Sequence, residues 1–326
     1  MVKRNPMEKL KVLFLTNDQS DHMEKSSFYL GKELRKQCDL MIWNQGGRLT
    51  EILSQLPYEP EFILINDFFA PKLCPPVNGF NEIKIPKGVI FHDISNFIQQ
   101  RKRFIVQEEI DVIFVHYKDA FRKWYPKLTK RMVWFPHHVN TDVFKEYPLE
   151  TTINTLMMGS MSPRLYPLRV KMLESLRNSP GFVHHPHPGY GGEKERHPGS
   201  LIGDAYAKEI NRAKIFLTCN SIFDYPLMKY FEVLGCHTLL LAPSSKELTE
   251  LGFIDGVTFV SVNRDNFIDK VKYYLHHEKE RSQIAQRGYL MVTNNHSTKQ
   301  RAAELIQHMR DIIQEKERLN ERGKLE

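Results

Sequence analysis

Short apolar runs alternate with amphipathic segments along almost the whole chain. Most runs are four to six residues long and rich in Val, Ile, Leu and Phe, with little alternation of apolar and polar positions. That pattern is typical of strands buried on both faces of a parallel sheet. The predicted strands are Lys11–Thr16, Asp39–Trp43, Glu61–Asn66, Lys87–His92, Asp111–His116, Arg131–Phe135, Ile153–Met158, Gly181–His185, Lys214–Thr218, Thr238–Leu241 and Val257–Ser261.

Helical segments such as Glu24–Gln37, Leu168–Leu176 and Asn266–His276 lie between these runs. Alternation of strands and helices on this scale predicts doubly wound parallel sheets. The pattern runs twice and is interrupted at residues 135–152, which carry two prolines and little apolar periodicity. We therefore predict two Rossmann-like domains of the α/β class, at residues 1–142 and 150–296.

The end of the chain, residues 297–326, predicts one long helix from Thr298 to about Asn320. Its apolar residues form one stripe at helical spacing, and no strand follows. The stripe consists of Ala302, Leu305, Ile306, Met309, Ile312 and Ile313. A helix with such a stripe must dock on structure that precedes it, and we expect it to pack back on the N-terminal domain.

Composition narrows the class of protein. Hydrophobic residues make up 41% and charged residues 26%, which is typical of a globular protein, and no apolar run is long enough to span a bilayer. The four cysteines are scattered without a CxxC pair, which favours reduced thiols and a cytoplasmic location. The net charge of +7 is spread along the chain, so no basic arm for nucleic acid is present. The surplus suits an anionic ligand, a membrane surface or an ordinary solvated surface.

Two further stretches leave alternatives open. Residues 118–127 interleave aromatic and basic side chains, so they could contact a membrane or a glycan acceptor, or form a helix with its aromatic face in the core. Residues 184–192 are rich in histidine, but the interspersed prolines and glycines give no metal-ligand spacing. A loop that lines the base or sugar pocket, or a plain surface loop, accounts for them better.

Ligands of open parallel sheets bind beyond the carboxyl ends of the strands, and polar residues repeatedly follow the predicted strands there. In the first half these residues are Asn17, Asp18, Asn66, Asp67, His92, Asp93 and His116; in the second they are Gly159, Ser160, His184–Tyr190 and Asn220–Asp224. Neither a Walker loop nor a GxGxxG fingerprint occurs, so P-loop and dinucleotide chemistry are unsupported.

Gly159 and Ser160 form a turn between a strand and a helix, where backbone can approach an anion. Arg164 and Arg169 follow as candidate phosphate ligands, and Arg164 is the better placed because it lies in the loop. Further on, Glu232 sits on a short apolar helix and needs a partner or a ligand hydroxyl. Lys229, one turn earlier, could pair with Glu232 or face a phosphate.

The spacing Asp224-x7-Glu232 resembles the Glu-x7-Glu stretch of retaining GT-B glycosyltransferases, and Phe135–Phe144 resembles their interdomain linker. Residues 153–310 are similar to the spore-maturation and spore-coat type of glycosyltransferase. The matching features are Gly159-Ser160 with Arg164–Arg169, Tyr206–Leu217, Lys229–Glu232, residues 276–288 and His296–Arg301. In the first half, only the layout and the strand–His turn at residues 88–93 match.

The resemblance implies a GT-B fold, with two domains facing a cleft and a C-terminal helix crossing between them. It implies a hexosyltransferase that moves a sugar from a nucleotide-diphosphate donor, UDP- or GDP-linked, to a glycan, protein or small-molecule acceptor. The expected pathway is cell-surface or spore-coat glycan synthesis, with no metal, no cofactor and no nucleic acid, and with possible peripheral membrane contact. The alternatives are a nucleotide-sugar epimerase or hydrolase of the same fold and a catalytically silent GT-B-like scaffold.

The resemblance also implies roles for individual residues. Glu232 would hold the donor ribose, Asp224 the sugar or its phosphate, and His92 would lie beside the reacting carbon with Asp93 orienting it or acting as base. The implied donor-binding set is Gly159, Ser160, Arg164, Arg169, His187, Tyr190, Asn220, Tyr225, Pro226, Leu227, Lys229 and Glu232. The chain departs from the family pattern in having Asp224 for Glu, Lys229 for Arg and no glycine pair after the first strand.

Overall fold

The structure, a computed structural model, describes residues 8–189 and 199–322. The chain divides into two compact units. The first unit contains the chain up to Ser20, then Ser27–Pro136, and the chain from Lys299 onward. The second unit contains Asp21–Ser26 and His137–Thr298.

The first unit is built on a parallel sheet in the order β2-β1-β4-β6-β7-β8, with a small parallel pair formed by β3 and β5. Its elements are β1 (Lys11–Leu15), α1 (Ser26–Gln37), β2 (Asp39–Trp43), β3 (Gly47–Arg48), α2 (Leu49–Ser54), β4 (Phe62–Asn66), β5 (Val77–Asn78), β6 (Lys87–Phe91), α3 (Ile98–Gln107), β7 (Val112–Val115), α4 (Lys118–Trp124) and β8 (Met132–Trp134). Short 3₁₀ helices lie at Phe80–Glu82 and Pro126–Arg131.

The second unit has a parallel sheet in the order β10-β9-β11-β12-β13. Its elements are β9 (Ile153–Gly159), α5 (Pro167–Leu176), β10 (Phe182–Pro186), α6 (Gly203–Asn211), β11 (Ala213–Leu217), α7 (Met228–Gly235), β12 (Leu239–Ala242), α8 (Lys246–Glu250), β13 (Val260–Ser261), α9 (Phe267–His276) and α10 (Glu278–Asn295). Residues of β9, β11 and β12 pack with α5, α9 and α10 in one apolar core.

The last helix, α11 (Thr298–Arg322), packs on the first unit. Five residues of its apolar stripe are buried in the core with β1, β4 and β7, and Ile312 packs partly against it. At the far end of the helix, Lys316 pairs with Asp111 at 2.8 Å. The stripe and this ion pair together hold the helix along its length.

The predicted strands and helices agree with the structure to within two residues at their ends, with one exception. Strand β13 begins at Val260 and not at Val257. The hydroxyl of Thr258 accepts from the Ile254 amide at 2.8 Å and donates to the Gly252 carbonyl at 2.8 Å, which folds this stretch into a turn.

The aromatic stretch at residues 118–127 belongs largely to the core. Phe121 and Tyr125 are fully buried and stack on each other with ring centroids 4.8 Å apart, and the Tyr125 hydroxyl donates to the Ile94 carbonyl. Arg122 and Lys123 are exposed. The structure thus favours the core interpretation of this stretch. Among the helices of the described residues, none is long and apolar enough to cross a membrane.

Candidate functional site

Strand β9 ends at Gly159, whose φ of +129° lies in the region that favours glycine. A Cβ atom at this position would lie 3.1 Å from Nη1 of Arg169 and 3.5 Å from Nζ of Lys229. Two cationic side chains therefore converge over a stretch of bare backbone. This stretch of backbone is suited to an anion, because positive charge and close backbone approach coincide there.

Arg169 is fixed between the carboxyl ends of β9 and β11. Its guanidinium donates to the Ser160 carbonyl at 3.0 Å and to the Cys219 carbonyl at 2.9 Å, and lies over the Tyr166 ring at 4.1 Å. The side chain is only 2% exposed, and its Nε–H finds no acceptor among the described residues. A buried unpaired donor on a cation is a place where an anionic ligand would be stabilised.

The two arginines predicted as phosphate ligands lie in different surroundings. Arg164 is exposed in the loop before α5, whereas Arg169 reaches the cluster over Gly159. The reason is helical geometry, because Arg169, Met172 and Leu176 share the face of α5 that is buried against the sheet.

Helix α7 contributes Lys229 and Glu232, and α6 contributes Tyr206. Nζ of Lys229 donates to the Tyr206 hydroxyl at 3.4 Å, and the interaction of that hydroxyl with the Glu232 carboxylate lowers the pKa of Glu232. Desolvation raises the pKa of Glu232 above its usual range, and the nearby Glu24 raises it further. Desolvation lowers the pKa of Lys229, and the adjacent Arg169 lowers it further. Tyr206 was not among the predicted site residues, because nothing in the pattern of α6 distinguishes it.

The loop after β10 brings His187 near the same cations. Burial lowers the pKa of His187, and the charges of Lys229 and Arg169 lower it further. Its Nδ1 accepts from the Gly189 amide at 3.0 Å. The predicted Tyr190 lies outside the described residues. No group of three His, Cys, Asp or Glu residues suited to a metal ion is found in residues 8–189 and 199–322.

The loop between β11 and α7 holds the other predicted residues of this unit. Asn220 donates to the Asp224 carboxylate at 2.8 Å, and Asp224 is exposed with a left-handed φ of +56°. Tyr225 and Pro226 are buried, and Leu227 precedes α7 with extended backbone and no side-chain cap. The loop thus exposes the hydrogen-bonded pair of Asp224 and Asn220, while the residues that follow the pair, Tyr225 and Pro226, are buried.

In the first unit, Asn66 connects Thr16 to His92. The amide nitrogen of Asn66 donates to the Thr16 hydroxyl at 2.9 Å, so its carbonyl oxygen faces His92 Nε2 at 2.8 Å. That oxygen can only accept, so Nε2 of His92 carries a proton. Nδ1 is then the lone-pair nitrogen of the neutral ring.

The Asp67–Arg101 ion pair holds the backbone of the same histidine. Asp67 accepts from the His92 amide at 2.9 Å and from both terminal nitrogens of Arg101, at 2.6 and 3.2 Å. Both side chains are at most 2% exposed, and the guanidinium lies over the Phe91 ring at 4.5 Å. The polar residues at the end of β4 were predicted as candidate site residues, but no pattern in the sequence predicts that Arg101 on α3 pairs with Asp67.

Asp93, the predicted orienting group for His92, is engaged elsewhere. Its carboxylate accepts from the Ser95 hydroxyl at 2.6 Å and from the side-chain amide nitrogen of Asn96 at 2.7 Å. It therefore stabilises the turn before α3, and Asn66 takes the place beside the ring of His92. The second strand-end histidine, His116, lies edge-on to His92 with ring centroids 5.0 Å apart.

We expect Arg101→Met to lower the free energy of unfolding by about 3–5 kcal/mol, because it leaves the Asp67 carboxylate buried without its partner. Urea denaturation measures this. The matched control is Arg48→Met, which removes the exposed pair with Glu82 and should cost little. A loss at Arg101 no larger than at Arg48 would contradict the structural role of the buried pair.

Comparison with known proteins places this geometry in context. Residues 169–307 match the family described as Glycosyl transferase-like. A glycosyltransferase from Rickettsia africae ESF-5 superimposes with a TM-score of 0.60 at 12% identity, covering 94% of this chain and 99% of that one. HepE from Anabaena in complex with UDP gives a TM-score of 0.64 at 10% identity, covering 93% and 100%. The fold is GT-B.

Sucrose-phosphate synthase from Thermosynechococcus elongatus also superimposes, with a TM-score of 0.58 at 12% identity over 81% of this chain and 76% of that one. No curated protein sequence matches the chain. The predicted GT-B fold is thereby confirmed. The family match supports the predicted class of activity, glycosyl transfer, and the epimerase, hydrolase and silent-scaffold alternatives are not favoured.

Proposed function

We propose that this GT-B enzyme uses a UDP- or GDP-linked sugar and binds its diphosphate over Gly159, between Arg169 and Lys229. The convergence of these two cations on bare backbone, with a buried Nε–H left over on Arg169, is the observation that supports the proposal. Glu232 lies one turn of α7 beyond Lys229 and would accept hydrogen bonds from the ribose hydroxyls. HepE, which shares the fold, was solved with UDP and with UDP-glucose.

In the proposed reaction the bond between the anomeric carbon and the diphosphate oxygen breaks, and its electron pair stays on the diphosphate. The acceptor oxygen forms the new bond to carbon and gives up its proton. Arg169 and Lys229 would stabilise the negative charge that develops on the leaving group. Desolvation and, after it, the charge of Arg169 lower the pKa of Lys229 to about 8, so a bound diphosphate that offsets this repulsion would hold the side chain more firmly in its ammonium form.

We propose that His92 receives the acceptor proton at Nδ1. The hydrogen bond from its Nε2–H to Asn66 leaves Nδ1 as the basic nitrogen. Asp224, paired with Asn220, is proposed to contact the donor sugar. The Ser160 backbone, His187 and the segment Tyr225–Leu227 would complete the donor pocket.

The resemblance to spore-coat enzymes supports a role in cell-surface or spore-coat glycan synthesis. The acceptor would be a glycan, a protein or a small molecule. All four cysteines are free and buried, in keeping with a proposed cytoplasmic location.

A thermal-shift panel of UDP, GDP, CDP, ADP and dTDP tests the donor assignment. One nucleotide at a hundred times its dissociation constant should stabilise the fold by about 2.7 kcal/mol. The same shift in the presence of a chelator would support binding by side-chain cations alone. The absence of a shift with all five nucleotides would contradict the proposed function.

We expect Gly159→Ala to weaken binding of the stabilising nucleotide by about tenfold or more, because the new methyl group would occupy the space over the backbone beside Arg169. Calorimetric titration measures this. Gly256→Ala is the matched control, since Gly256 also has a positive φ, of +69°, but a Cβ there meets no atom within 4 Å. Both variants carry backbone strain, so equal nucleotide affinities in the two would contradict the assignment of the diphosphate to Gly159.

A further inference from the structure

The phenol of Tyr206 lies between two opposite charges on one helix. Lys229 and Glu232 are three residues apart on α7, a spacing at which a lysine and a glutamate ordinarily pair directly. Here the Tyr206 hydroxyl accepts from Lys229 at 3.4 Å and lies close enough to the Glu232 carboxylate for the two groups to shift each other's pKa. The buried Phe144 packs against the Tyr206 ring with centroids 5.9 Å apart, edge to face, and so helps to fix its position.

We propose that Tyr206 is a positioning residue of the donor site, which keeps Glu232 and Lys229 as two separately usable groups. Through the phenol, the carboxylate retains free acceptor capacity for ligand hydroxyls and the ammonium remains directed to the anion over Gly159. This inference rests on the proposed function, since it assigns both groups to a nucleoside diphosphate.

The interaction with the Tyr206 phenol lowers the pKa of Glu232, because an O–H directed at the carboxylate stabilises its charged form. The other groups that act on Glu232 are Lys229 on its own helix and Glu24 of the segment Asp21–Ser26, and its charge acts in turn on the Cys236 thiol. Arg169 lowers the pKa of Lys229, and Lys229 and Arg169 in turn lower the pKa of His187. Unlike Lys229 and Glu24, Tyr206 acts on Glu232 through a neutral hydroxyl group.

Removing the phenolic oxygen should raise the pKa of Glu232. Ribose hydroxyls bind the ionised carboxylate more tightly than the protonated one, so nucleotide affinity should fall as the pH drops through that pKa. In Tyr206→Phe the fall should begin at a higher pH than in the wild type. Above the transition, the affinity should still be reduced by up to about tenfold, because the carboxylate is no longer held in place.

The experiment is a calorimetric titration with UDP and GDP between about pH 5.5 and pH 9, using wild type, Tyr206→Phe and Glu232→Gln. NMR titration of isotope-labelled glutamate carboxyl groups in the ligand-free protein, with Glu232→Gln for assignment, follows the same group directly. Tyr147→Phe is the matched control, because it removes a phenol that bonds a different carboxylate, Asp204, at 3.3 Å. We expect the midpoint of Glu232 and the pH profile of binding to move only in Tyr206→Phe.

Each outcome distinguishes the role of Tyr206 from the donor assignment. If the wild type binds a nucleotide and Tyr206→Phe has the same Glu232 midpoint and the same pH profile, the role of Tyr206 is overturned and the proposed function stands. If the wild type binds neither nucleotide, both fall. A uniform loss of affinity at every pH with an unchanged midpoint identifies a packing role and also overturns the inference.

Discussion

Replacing Glu232 with glutamine is expected to weaken binding of the nucleoside diphosphate by about a hundredfold, which removes most of its thermal stabilisation. The carboxylate can accept from two neighbouring ribose hydroxyls at once. A glutamine offers one acceptor oxygen and turns an NH₂ group toward the second hydroxyl, so one charge-assisted hydrogen bond is lost and the other is weakened. Thermal shift and calorimetric titration of the variant against wild type measure the effect.

The ligand-free stability of Glu232→Gln should separate this effect from misfolding. Burial raises the pKa of Glu232 in the folded state. The stability associated with its protonated form is therefore present below the ordinary glutamate pKa and is lost as the pH rises through the raised value. Glutamine does not titrate, so the variant should gain melting temperature relative to wild type as the pH increases over this window.

Glu174→Gln is the control, because Glu174 is an exposed acid of the same unit, on α5. Its nucleotide affinity should equal that of the wild type. Wild-type affinity in Glu232→Gln would contradict the assignment of the ribose to this carboxylate. The diphosphate site over Gly159 would then need a different orientation of the nucleotide.

Replacing His92 with glutamine should lower kcat by about 10²–10⁴-fold while leaving nucleotide affinity nearly unchanged. The ring is held by Asn66 at Nε2 and by Asp67 at its backbone amide, so Nδ1 is presented as a base by two fixed contacts. Glutamine can keep the hydrogen bond to Asn66 but has no basic nitrogen. Release of nucleoside diphosphate from the nucleotide sugar, with an acceptor found by screening, measures kcat.

Asn66→Ala should give a smaller loss than His92→Gln, because the ring remains but its tautomer is no longer selected. His276→Gln is the control, since this exposed histidine bonds within its own helix, at the Lys272 carbonyl. Turnover within a few-fold of wild type in His92→Gln would contradict its role as base. The proton acceptor would then have to be another group.

Local pattern accounts for how much of the fold could be predicted. Strand β1 has the sequence Lys-Val-Leu-Phe-Leu, and its four apolar residues are all buried. The apolar run alone therefore predicts a strand that is covered on both faces. The stripe of α11 likewise appears in the core as its spacing indicates. These features depend on residues within one or two turns of each other, where the chain geometry is fixed.

The sequence by itself determined two parallel-sheet units, a long final helix and the strand ends that are followed by polar residues. Only the tertiary structure decided which side chains meet there. Arg169 reaches Cys219, 50 positions along the chain, and His92 reaches Asn66, 26 positions away. Such contacts depend on how neighbouring strands align and on how each helix is rotated over its sheet. The pattern of a single segment encodes neither the alignment of strands nor the rotation of helices. The contacts of Arg169, Asn66 and Tyr206 could therefore be identified only in the folded chain.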